Sequence, residues 1–272
     1  MKRFTLCFLL ISFYVTLFAQ EIVYVSTSGS GSGRIETDPT TFASAKSIIL
    51  AGEVKKIIII GILDFEIEFD DIRDKARSRG ITLEEIIITG IPGATGARRA
   101  VLSRAVRINR FNVRFEHIEI SDSAHWGIMI AYDGIITLGP GAVVRNNQGS
   151  GVHLQSGGTL IIDGGEVRDN NSGGIVIIGE HSTVTMHRGV IRDNRSPNIG
   201  GGVSINPGGH FTMTGGLITG NSAVTHGGGV VVLSGGRFDQ TGGTISGNVA
   251  GQGSNPNVIR EQGTLGTDFI LR

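Results

Sequence analysis

Cysteine is almost absent: Cys7 is the only one in 272 residues. Past that position the chain has no disulfide, no thiolate nucleophile and no Cys ligand for a metal. Proline is scarce at 6 residues, and glycine does not fall on every third position, which excludes collagen. An excess of one charge is missing as well. The 24 basic side chains face 24 acidic ones, so the balance favours neither nucleic acid nor an anionic membrane surface as partner. Aromatic residues make up 6% and charged residues 18%, against 39% hydrophobic, a ratio too apolar for disorder. No apolar run past residue 19 approaches the ~20 residues of a membrane span.

The one long apolar run lies at the N-terminus. Lys2 and Arg3 precede Phe4 to Phe18, and Ala19 offers a small residue for cleavage before Gln20. This reads as a secretory signal peptide over residues 1–19, and the protein as exported to the periplasm, the outer surface or the medium. No membrane span is expected after cleavage.

What the chain has in excess is glycine, 43 residues, where about 7% is usual. Most lie between Gly127 and Gly253, in copies of one unit. Gly151-Val152-His153-Leu154 leads through Gly157-Gly158, Leu160, Ile162 and Gly164-Gly165 to Val167 and Asn170. Gly174, Gly202 and Gly229 begin further copies, and a weaker one runs from Ile128 to Asn146. Aligned on Asn146, Asn170, Asn194, Asn221 and Asn248, the repeat is 24 to 27 residues long. Each copy holds short segments of alternating apolar residues, the pattern of strands. A unit this small cannot bury its own apolar face, whereas stacked units share one core. The expected architecture is therefore an all-β, right-handed parallel β-helix solenoid, with the asparagines stacked at one edge.

The N-terminal half fits the same scheme with irregular coils. Ile22 to Val25, Ile57 to Ile60, Ile86 to Ile88 and Phe111 to Ile120 read as strands or coils. Thr40 to Leu50 reads as a short capping helix with Asp38 as N-cap. Asp70 to Arg79 reads as an excursion or helix, and Phe269-Ile270-Leu271 as a last strand. The organisation is thus 20–126 cap and irregular coils, 127–250 regular glycine-rich coils, and 251–272 a C-terminal coil or cap.

The Tyr24-Val25-Ser26 start, the Gly-Ser turn after it and the amphipathic helix resemble the N-terminal part of bacterial pectate-lyase-like β-helix proteins. The Gly-Gly-x-Phe-x-Met-x-Gly-Gly-x-Ile-x-x-Asn unit, from Gly208 to Asn221, is similar to glycine-rich repeats of spirochaete surface proteins. It is more distantly similar to chlamydial polymorphic outer-membrane repeats. The resemblance implies fold and export. For activity it leaves polysaccharide lyases, glycosidases and non-catalytic adhesins open, because one fold hosts many functions.

Enzymes of this kind need paired carboxylates, or a cation such as Ca²⁺ with a base, on the outer face of the strands. The candidates are Arg168-Asp169 and Arg192-Asp193, one period apart. Asp169 and Asp193 would do cation or acid–base work, with Arg168 and Arg192 on substrate carboxylates. The same alignment sets Asp163 beside His187. The alternative is a solvated ladder of surface ion pairs at a turn. The histidines show no metal-ligand spacing, so no metal or cofactor is expected, Ca²⁺ entering only with a lyase. Trp126 and Tyr132 are either sugar-stacking platforms or residues packed beneath a loop. The outward positions Met129, His153, Val176, Ser204 and Val231 form an apolar face, docking a partner or lying under an inserted loop. The leading expectation is a non-catalytic, adhesin-like or structural protein that binds a polysaccharide or a surface protein. A carbohydrate-active enzyme acting on an acidic polysaccharide is the alternative.

Overall fold

The computed structural model describes residues 22–51, 55–69, 72–81, 85–95, 99–251 and 255–260. The expected signal peptide and the expected last strand at Phe269 lie outside these residues. The chain coils into a solenoid of parallel strands. From Lys56 onward each turn contributes a strand to a first face, then to a second, then to a third.

The first face begins with Ile22–Val25 and ends with Arg237–Gln240. The second face runs from Ile62–Leu63 to Thr244–Ser246. The third is an eight-stranded sheet from Ile67–Glu68 to Val258–Arg260. In the coils at Thr159–Arg168 and Thr183–Arg192, one ten-residue strand runs through from the first face to the second.

Alternation makes these segments strands. Lys56–Ile59 shows the pattern: Ile57 and Ile59 are buried while Lys56 and Ile58 are only half-buried. Equivalent inward residues stack from coil to coil, as in the column Val113, Ile136, Leu160, Val184, Phe211 and Phe238. All six are buried in one continuous core. Each buried side chain of this kind contributes about 1.5–3 kcal/mol, and neighbouring strands sit about 4.8 Å apart. Phe211 and Phe238 close the column as stacked rings, 5.1 Å between centroids.

Helix α1 (Phe42–Ile49) buries Phe42, Ala45 and Ile49 in this core and packs against the first strand, Ile22–Val25. Its N-cap is Thr41, whose Oγ1 accepts from the Ser44 amide at 3.1 Å. The expected cap, Asp38, instead accepts from the Ser32 amide and hydroxyl within the preceding turn. Helix α2 (Ile72–Ser78) fills the charged excursion.

The corner between the second and third faces carries the asparagine ladder. The amide Nδ2 of Asn147, Asn170, Asn194 and Asn221 each donates to Oδ1 of the next asparagine at 2.9 Å. The same Oδ1 also accepts the backbone N–H of the asparagine one coil earlier, at 3.0–3.1 Å. From Asn170 onward the second amide hydrogen goes to a strand carbonyl, for example Asn194 to Val167. Asn147, Asn170, Asn194 and Asn221 are completely buried, so this network satisfies polar groups that would otherwise cost several kcal/mol.

The weak copy thereby corrects the sequence alignment. Its ladder residue is Asn147, while Asn146 takes left-handed backbone geometry, φ 55°. Glycine opens the five third-face strands beside the ladder, at Gly127, Gly151, Gly174, Gly202 and Gly229, because the ladder needs the space. A Cβ on Gly174 would lie 2.6 Å from the Gly202 carbonyl oxygen and 2.8 Å from Asn194 Nδ2.

Candidate functional site

The residue before each ladder asparagine turns the corner in left-handed geometry. Asn146, Asp169, Asp193, Gly220 and Gly247 have φ of 55°, 54°, 55°, 65° and 66°. Glycine reaches this region freely, and Asn and Asp tolerate it better than other residues. Asp169 and Asp193 are therefore first of all corner residues, interchangeable along the solenoid with Asn and Gly.

The expected stacking of the two Arg-Asp pairs is present. Arg168 lies in register with Arg192 and, on its other side, with Arg145. The Arg168 guanidinium pairs with Asp169, and that of Arg192 with Asp193 at 2.6 Å. Both arginines also reach Glu166 between them. Hydrogen bonding to Asp193 first, then to Glu166, raises the Arg192 guanidinium further above its ordinary value. The arginines are thus engaged with the protein's own carboxylates.

Asp163 does not meet His187. It pairs with Arg188, whose Nε donates at 2.6 Å, and with Arg114 at 3.5 Å. The Arg188 hydrogen bond holds the Asp163 carboxyl below the usual carboxylate range. The reason is a pair of compensating irregularities between the two strands, at Ile162/Asp163 and at Asp163/Glu166. His187 is exposed and instead bonds the Thr214 hydroxyl, 3.0 Å away.

Trp126 is half-buried and lies over His153, 5.5 Å between ring centroids, on the outer surface of the third face. Burial there lowers the His153 pKa. Tyr132 is exposed, with the Arg110 guanidinium 6.0 Å from its ring centre. The two aromatics stay separate from the Asp-Arg corner. The apolar outward column on the third face is partly covered by the chain itself. Ser204 and Val231 are buried beside the loop glycines Gly200 and Gly227, while Ile178 remains exposed.

Sequence reasoning missed the residue that follows each ladder asparagine. Gln148, Asn171, Arg195, Ser222 and Val249 form a second outward column, joined by backbone bonds and by Asn171 Nδ2 to Gln148 Oε1. Their fixed offset from the asparagines was the signal that could have found them. The column faces the Asp169–Asp193–Gly220 column across the buried ladder. Between them lies a concavity of about 510 Å³ lined by Asp169, Asn171, Asp193, Arg195, Gly220 and Ser222. Among the described residues no group of three or more His, Cys, Asp or Glu could hold a metal ion.

A family model described as a right-handed β-helix region matches residues 104–252, more than half of the chain. No curated protein and no solved structure matches it. Stacked parallel coils, a shared core, a repeating corner and this match all lead to one assignment: the chain belongs to the right-handed β-helix family.

Proposed function

We propose that this protein is an exported, non-catalytic β-helix that acts by binding a glycan or a surface protein, in an adhesin-like or structural role. The observation that carries the reading is the state of the candidate carboxylates. Asp163, Glu166, Asp169 and Asp193 are each held by arginine. General acid catalysis needs a carboxyl kept protonated near neutral pH, and Asp163 is shifted the other way. The arginines a lyase would turn toward substrate carboxylates are committed to internal pairs. The likeness of the glycine-rich units to bacterial surface-protein repeats, and the signal-like residues 1–19, support the same reading.

The test is a panel of acidic and neutral polysaccharides assayed for unsaturated products and new reducing ends, with and without Ca²⁺. No turnover is expected. Robust turnover lost in Asp169→Ala or Asp193→Ala would replace this reading with a carbohydrate-active enzyme.

A further inference from the structure

The corner concavity has two walls of different chemistry. One wall, Asp169 and Asp193, presents acceptors. Each carboxylate gives Oδ2 to its arginine, and among the described residues neither Oδ1 receives a hydrogen bond. The other wall presents donors: the Asn171 amide, the Ser222 hydroxyl and Arg195. Arg195 is exposed, and among the described residues its guanidinium has no hydrogen bond or ion pair. At Gly220 the acceptor wall falls away, so the groove opens toward the C-terminal coils.

Charge narrows the ligand. Arg168, Arg192 and Arg195 are offset by Glu166, Asp169 and Asp193, so the groove and its flank carry no net charge. Binding of a polyanion rests on neutralising several of its charges, so this groove is poorly suited to one. A pair of neighbouring ring hydroxyls suits it better, one donating to an aspartate oxygen while the other accepts from Arg195 or Ser222. The lining residues come from three successive coils, about 10 Å along the axis, which favours an extended ligand over a compact one.

Building on the binding role proposed above, we infer that the groove beside the asparagine ladder binds a neutral, hydroxyl-rich glycan chain laid along the solenoid axis. Asp169 and Asp193 accept from its hydroxyls, and Asn171, Arg195 and Ser222 donate to them.

The experiment is calorimetric titration of the purified protein with neutral oligosaccharides and with uronate-bearing ones. It is run on the wild type, Arg195→Ala, Ser222→Trp, and Thr185→Trp on the first face as control. The expected result is binding of a neutral oligosaccharide that weakens about tenfold in Arg195→Ala. It should disappear in Ser222→Trp and stay unchanged in Thr185→Trp. Arg195 is exposed, so its truncation leaves the fold intact and keeps the test decisive if Ser222→Trp folds poorly. Equal binding by Arg195→Ala and Ser222→Trp would move the site elsewhere, and binding of uronates alone would overturn the ligand class. Failure to bind any saccharide would overturn the inference, while the non-catalytic reading stands or falls separately on the turnover assay.

Discussion

The same corner of the solenoid is built in two ways. In the early coils, the turn from second to third face is joined at the surface. Arg104 and Ser103 bond the Asp64 carboxylate, with Arg104 and Asp64 both more than half exposed. From Asn147 to Asn221 the turn is joined from inside, by asparagines with no solvent exposure. Coil length also differs between the two regions. Early first-face partners are Ile22 with Lys56 and Lys56 with Ile87, 34 and 31 residues apart. Later ones are Thr159 with Thr183 and His210 with Arg237, 24 and 27 apart. The ladder corner is nonetheless the longer one: three residues separate Leu63 from Ile67, whereas six separate Arg168 from Ile175 and ten separate Arg192 from Val203. The added length of the early coils lies away from this corner, as in α2, which follows the third-face strand Ile67–Glu68.

Breaking the ladder should have the largest effect. Asn194→Ala leaves the Asn170 backbone N–H without its buried acceptor and takes one hydrogen bond each from Asn170 Nδ2, Asn221 Oδ1 and the Val167 carbonyl. At about 1–3 kcal/mol for the unsatisfied donor and about 1 kcal/mol for each further lost bond, the expected loss is about 4 kcal/mol in urea denaturation. Asp193→Gly, one residue away, should change stability by less than about 1 kcal/mol. It removes a half-exposed ion pair but installs the residue best suited to positive φ. A large loss at Asp193 would mean that the ion pairs, and not the amides, hold the coils together.

The smallest effect separates the two corners by pH. Hydrogen bonds from Arg104 and then Ser103 lower the Asp64 pKa. Its contribution is full above the unfolded-state value of about 3.9 and is lost as pH falls through the lower folded-state value. The amides do not titrate. Hydrogen exchange between pH 5 and pH 2 should therefore show the Asp64–Arg104 corner loosening more than the asparagine corner, and Asp64→Asn should remove that difference.

Period-two apolar patterning and glycine spacing made the regular coils legible, because their third-face strands, from Ile128 to Val230, begin where only glycine fits against the next coil. The order Leu160, Val184, Phe211, Phe238 could be read directly as one inward column, and the structure keeps it. Errors arose where local geometry departs from a constant period. Asn146 and Asn147 are adjacent and chemically equal, and only the backbone distinguishes the corner residue from the ladder residue. Asp163 misses His187 because paired irregularities cancel over the strand and so leave the repeat length unchanged. The groove was not legible for a related reason: Asn171, Arg195 and Ser222 share a position without sharing a residue type.

The central claim is that a buried amide ladder holds the regular coils, with the neighbouring polar columns left free at the surface. Side-chain amide hydrogen exchange, followed by NMR, addresses it most directly. The Nδ2 hydrogens of Asn170, Asn194 and Asn221 should be protected far longer than those of the exposed Asn171. Exchange of all four at the same fast rate would contradict the account.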